Sequence, residues 1–312
     1  MKFNWKSIFL WSNHFYGICA ALLAAESSLM LLHELPSFYT LMLIYFSTIV
    51  YYTHAYLQES KDGIYNERTS WYQRNVNYLY GRQLVLTIVI MYIAFLKISV
   101  FQQFLSAPVS VKIFLIFSVA LSLYYYFPAV MPNPKFAFRN KGILKSVSIA
   151  WVWTLVCFFS PIWLALHADF IKIFSSLYFW LFFFQLFLYI LILAILFDFK
   201  DIIRDEMEMV RTIVVKYGVS KTLTKIIVPL LLMYLAISMY ILYYMDYDWV
   251  YLTIQLVLVA LTYIVGKQIV HKKSIPTHIL MIDGLMIIKA ILSICYFKTH
   301  LISSNFEIRN IL

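Results

Sequence analysis

Charge is what this chain has least of. Only 13% of its 312 residues are Asp, Glu, Lys or Arg, while 63% are hydrophobic and the mean hydropathy is +0.80. Soluble domains are about half apolar and about a quarter charged, so a soluble globule is excluded. With it goes the solvated basic, base-stacking surface that binding to nucleic acid requires. Cysteine is scarce as well. Cys19, Cys157 and Cys295 stand far apart, each in an apolar run, which excludes a metal knuckle and a disulfide framework. The chain has no phosphate-cradling Walker loop, no dinucleotide glycine fingerprint and no G-x-S-x-G elbow, and His271 and His278 lack the spacing of a helical zinc pair. No internal repeat points to a transporter built from inverted halves. The amino-terminal apolar run is too long for a secretory leader and has no clear small-residue cleavage site, so no cleavable signal peptide is expected.

What the chain has instead is long apolar runs. About nine are long enough to cross a bilayer, near 8–32, 37–57, 83–104, 110–131, 144–166, 174–197, 223–244, 249–270 and 279–300. Pro36, Pro108, Pro132, Pro134 and Pro276 fall between them, where lost backbone hydrogen bonds can be met by water. The expected fold is all-α: a single transmembrane domain, residues 1–312, built as a polytopic helical bundle.

The basic residues orient that bundle. Counting Lys and Arg in alternate loops puts 19 of the 25 on the side of the amino terminus, from Lys2 and Lys6 through Lys61–Arg82, Lys135–Lys145 and Lys200–Lys225 to Lys267–Lys273. By the positive-inside rule that side is cytoplasmic. The net charge of +10 is then a topology signal and an attraction to anionic membrane lipids.

The candidate chemistry lies in FDFKDIIRDEMEMVRTIVVKYG, residues 197–218. Asp198, Asp201 and Asp205 stand at i, i+3 and i+7, a spacing that gathers three carboxylates on one face of a helix continuing an apolar run. Lys200, Arg204 and Arg211 are interleaved and could pair with the acids as an ordinary solvated helix end. The alternative is a Mg²⁺ site for a diphosphate, because hard cations take carboxylate oxygens and Mg²⁺ is held by a few carboxylates plus substrate phosphates. Lys and Arg would then hold the remaining phosphate oxygens.

The register of Asp198, Asp201, Asp205, Thr212, Val215 and Gly218 resembles the second aspartate motif of the UbiA superfamily of membrane prenyltransferases. Phe197, Met209 and Val214 stand where that motif has Asn, Gly and Pro. The resemblance implies nine spans around a central cavity and a second metal motif at the cytoplasmic end of the second span, patterned N-x-x-x-D-x-x-x-D with a following Asn and Arg. Here HAYLQESKDGIYNERT supplies His54, Gln58 and Asp62 in that register, then Asn66 and Arg68. One carboxylate remains where the family has two, and His54 and Gln58 read equally as interior hydrogen-bonding groups.

On this resemblance the active-site loops are about 58–82 and 198–222, with Mg²⁺ held by Asp62, Asp198, Asp201 and Asp205 as the catalytic acids. Arg68, Lys200, Arg204 and Lys216 would bind the diphosphate together with His54, Gln58 and Asn66. Asn13 and His14, near the cytoplasmic end of the first span, would meet the substrate head group. Glu26, Asp283 and Lys289 are further intramembrane ionisable groups; Asp283 and Lys289, six apart, do not share a helix face, and no role is assigned to Lys289. Runs such as Tyr124–Phe127 and Phe182–Phe184 cannot face one way, so some rings point inward, where they could stabilise an allylic cation.

The implied substrate is an isoprenyl diphosphate, ionised with Mg²⁺ and transferred to a lipophilic or aromatic acceptor. A membrane terpene cyclase with the same ionisation site, and a non-catalytic lipid-binding relative, are the two other readings. The expected setting is the bacterial inner membrane, with the amino terminus and both loops in the cytoplasm.

Overall fold

The computed structural model describes residues 7–61, 67–97, 99–126, 142–165, 170–207, 210–270 and 274–311, and among these it contains helices and no strands. After a π-helical turn at Ser7–Trp11 come α1 (His14–Leu32), α2 (Phe38–Lys61), α3 (Glu67–Arg74), α4 (Val76–Leu96), α5 (Ser99–Ser106) and α6 (Val109–Tyr126). Then follow α7 (Ile143–Ala165), α8 (Phe170–Phe174), α9 (Leu177–Lys200), α10 (Ile202–Met207) and α11 (Ile213–Tyr217). The last three are α12 (Val219–Tyr244), α13 (Trp249–Ile269) and α14 (Ile275–Thr299), whose helix runs on to Ile311.

Seven of these, α1, α4, α7, α9, α12, α13 and α14, are long and apolar enough to cross a membrane. The chain is thus built as a multi-pass membrane protein. The two other expected spans fall on α2, which is 24 residues long but interrupted by Tyr, Thr and His54, and on α6, whose apolar described stretch is Val109–Ser122.

Burial sorts the helices. Over their apolar windows α1 and α9 are 78% and 72% buried, whereas α4 is only 11% buried. The first two therefore form the centre, and α4 turns Leu84, Val85, Ile88, Met91 and Phe95 outward. Water exclusion cannot drive helices together inside lipid, so close packing must hold them. Small side chains on α1, Cys19, Ala20 and Ala24, are fully buried where α1 meets α2 and α14. Phe182 and Phe183 on α9 are buried, Phe183 in a cluster of rings with Phe158, Phe179 and Trp180, while Phe184 is exposed, so the run splits as helical geometry demands.

Two glycines shape the end of the bundle where the acids lie. Gly218, at φ +74°, makes the left-handed turn between α11 and α12. Gly142, at φ +31°, precedes α7, and a Cβ there would lie 1.7 Å from the Arg211 carbonyl oxygen. Gly142→Ala therefore forces α7 away from the segment after α10. Strain of this kind costs about 2 kcal/mol or more, and thermal unfolding should fall by about 5 °C.

Candidate functional site

The acids do not stand on one unbroken α-helix: the α-helical part of α9 ends at Phe197. Asp198–Lys200 is a 3₁₀ turn, Asp201 (φ −100°, ψ 6°) lies outside it, and α10 starts only at Ile202. The Asp201 N–H donates to the Asp198 carbonyl at 3.0 Å, the i to i−3 bond of a 3₁₀ turn, and the Asp201 carboxylate stays within electrostatic reach of Asp198, Asp205 and Lys145. Asp201 receives both hydrogen bonds of Lys200 Nζ, at 2.9 and 3.0 Å. That ammonium also sits 4.4 Å from the Phe197 ring centroid.

Asp198 and Asp205 do converge, and on a residue that the motif analysis left out. Lys145 Nζ, from the first turn of α7, lies 2.9 Å from Asp198 Oδ1 and 3.4 Å from Asp205 Oδ2. Ser146 Oγ donates to the other Asp198 oxygen, Oδ2, at 3.0 Å. Both carboxylates are buried, at 4% and 6% side-chain exposure, so they are held by this ammonium and not solvated. The only sequence trace of Lys145 was its contribution to the basic side of the membrane.

Burial pushes the Asp205 carboxyl up to about 6; Lys145 pulls it down, while Asp198 and Asp201 push it further up. A carboxyl raised in the folded state makes its ionised form a cost. That cost is full above about pH 6 and shrinks as pH falls toward its ordinary value of 3.8. Asp205→Asn should accordingly raise the unfolding temperature at pH 8, with a smaller gain at pH 5, as thermal unfolding at the two pH values would show.

A second group of side chains lies at the same end. Arg68, buried on α3, stacks its guanidinium 3.6 Å over the Tyr56 ring. Asp283 ends the π-helical turn Ile279–Asp283 in α14; it is buried, hydrogen-bonded to Tyr16, and within electrostatic reach of both Lys200 and Arg68. Arg68 from the first loop region and Lys200 from the second therefore face one carboxyl. An aromatic wall adjoins them: Tyr16 stacks on Tyr52 at 4.4 Å between centroids, and Trp153 Nε1 donates to Tyr52 Oη at 2.7 Å. These rings are spread over α1, α2 and α7, so no sequence run marked them.

The other expected site residues take separate partners. Asn13, left-handed at φ 65°, donates from Nδ2 to Thr53 Oγ1 at 3.0 Å and to Tyr72 Oη at 2.8 Å, tying α1 to α2 and α3. His14 Nδ1 bonds Tyr45 Oη at 2.6 Å. His54 is exposed and lines an apolar groove of about 390 Å³ between α2 and α4, with Ser47, Val50, Tyr51, Thr87 and Ile90. Gln58, one turn on, shares that face of α2, opposite the face carrying Tyr52 and Tyr56. Lys216 is exposed, its Nζ 4.8 Å from the centroid of the neighbouring Tyr217 ring. Thr212 caps α11, accepting from the Val215 N–H at 3.4 Å. Asp62 and Asn66 lie outside the described residues; Arg204 is on α10, with its side chain also outside them.

No family model, curated protein or solved structure matches the chain. The site must be read from its own chemistry. Among the described residues no group of three or more His, Cys, Asp and Glu side chains gathers around one point to hold a metal. Two carboxylates sharing one cation position do fit a Mg²⁺ ion that draws its other ligands from a bound phosphate group, the usual arrangement for this metal.

Proposed function

We propose that the chain is a UbiA-like integral membrane prenyltransferase that ionises an isoprenyl diphosphate with Mg²⁺ and transfers the prenyl group to a lipophilic acceptor. In this reading α2 and α6 complete nine membrane passes, and the basic end carrying the site faces the cytoplasm. One observation carries the reading: two buried carboxylates, Asp198 and Asp205, converge on a single cation position at the bundle end, with Lys200 held by Asp201 between them in sequence.

Asp198 and Asp205 hold the metal, which, when bound, neutralises charge growing on the departing diphosphate. Lys200 and Arg68 bind phosphate oxygens and fix the head group against them. Tyr16, Tyr52 and Trp153 line the adjacent interior, where their ring faces stabilise an allylic cation and exclude water that would quench it. The lipid tail occupies the apolar interior; the prenyl C–O bond breaks to release pyrophosphate, the acceptor attacks the allylic cation, and the proton the acceptor loses is taken up by the released pyrophosphate.

The test is purified protein in lipid nanodiscs with Mg²⁺ and a panel of isoprenyl diphosphates, with pyrophosphate measured. Release that depends on an added acceptor supports transfer. Release without acceptor, with a cyclic hydrocarbon product, replaces transfer by cyclisation at the same site. No release with any substrate or acceptor rejects the catalytic reading and leaves a lipid-binding protein.

A further inference from the structure

The cation position in the acid pair is filled by the chain itself. Lys145 Nζ, 2.9 Å from Asp198 Oδ1 and 3.4 Å from Asp205 Oδ2, reaches that point on a side chain only 15% exposed. Mg²⁺ held by the same two carboxylates would need the place the ammonium occupies, so ammonium and metal exclude one another. Free Mg²⁺ gives up its water reluctantly, and here it would enter a carboxylate pair already partly neutralised while leaving a buried ammonium unpaired.

A metal that arrives carrying diphosphate meets a different balance. Its phosphate oxygens complete the metal's shell and offer the displaced ammonium a new partner. A further buried carboxyl, reached from the acid segment through Lys200, has an unmet oxygen. Asp283 Oδ2, on a carboxyl 6% exposed and facing Lys200 and Arg68, has no hydrogen-bond partner among the described residues. That orphaned oxygen sits where a bound head group with its ordered water would supply a donor.

Resting on the function proposed above, we infer that Lys145 is a tethered counter-cation that keeps free metal out of the Asp198 and Asp205 pair. The site then takes divalent metal and diphosphate together, as one complex, and not metal first.

The experiment is Mn²⁺ binding to the full chain in nanodiscs, followed by electron paramagnetic resonance, with and without inorganic pyrophosphate and corrected for Mn²⁺ held by pyrophosphate in solution. Wild-type protein should bind Mn²⁺ about tenfold more tightly when pyrophosphate is present, and Lys145→Met should bind Mn²⁺ alone about tenfold more tightly than wild type. Lys145→Gln, which keeps a donor for Asp198 without the charge, should give the same tightening and serves where the Met variant misfolds. Unchanged or weaker Mn²⁺ binding in the Gln variant, with Asp198-dependent binding still seen in wild type plus pyrophosphate, overturns the role of Lys145 and leaves the metal site standing. Absence of Mn²⁺ binding in every mixture overturns both.

Discussion

Replacing Asp198 by Asn should lower Mg²⁺-dependent pyrophosphate release by about 10³-fold, the scale seen when one preorganised electrostatic partner of a developing charge is removed. Asp198 is the best-held acid of the three: Lys145 takes one of its oxygens and Ser146 the other, so its position is fixed before any ligand arrives. Asp205→Asn should cost about as much, because its Oδ2 points to the same ammonium. Asp201→Asn should cost about tenfold less than either, since that carboxylate is occupied by Lys200 and acts through it. Steady-state pyrophosphate release by the three variants checks the order. Equal losses at all three positions would mean that the acids act as one cluster, and undiminished turnover in Asp198→Asn would reject the proposed metal role. The stability of Asp205→Asn sharpens the comparison, because a variant that is more heat-resistant at pH 8 yet inactive marks a carboxylate kept for chemistry at a cost to the fold.

How far the sequence alone reached depends on what kind of information each feature needs. Apolar length and the punctuation of Pro36, Pro108 and Pro276 are local, and they placed five of the seven clear spans within about four residues of their helices, while α4 lies seven to eight residues earlier than expected and α1 starts six residues later. The acid segment was legible as composition, but its geometry was not. The expected i, i+3, i+7 face assumes an unbroken α-helix, and the 3₁₀ turn at Asp198–Lys200 removes that assumption. Lys145 lies more than fifty positions from its acid partners and looks like any basic residue at the end of a span. Only the close approach permitted by Gly142 under the Arg211 carbonyl brings the start of α7 to them. The same holds for Tyr52 and Trp153, which meet across about a hundred positions. Register within one helix is written locally; which faces of two helices meet is not.

The other large effect is predicted in the membrane interior, far from the acids. Glu26 on α1 and Lys289 on α14 form a buried ion pair, with Lys289 Nζ also 5.8 Å from the Tyr189 ring centroid. Both side chains are at most 4% exposed. Lys289 thus pairs across helices and not with Asp283 on its own helix. Glu26 lies about 18 Å along α1 from His14 and about 9 Å from Leu32, and the packing around the pair, which leaves both side chains at most 4% exposed, keeps the charges from water. Removing one partner strands the other in a medium that solvates it poorly, a change worth about 3–5 kcal/mol. Glu26→Ala and Lys289→Met should therefore each lower the unfolding temperature by about 8 °C, by loosening the seam between α1 and α14. Replacing both together by Met should recover most of the loss, because an apolar pair of similar volume needs no solvation. Thermal unfolding of the two single variants and the double variant closes the cycle. If the double variant is as unstable as the sum of the singles, the two residues act independently and the pair is not what joins the helices.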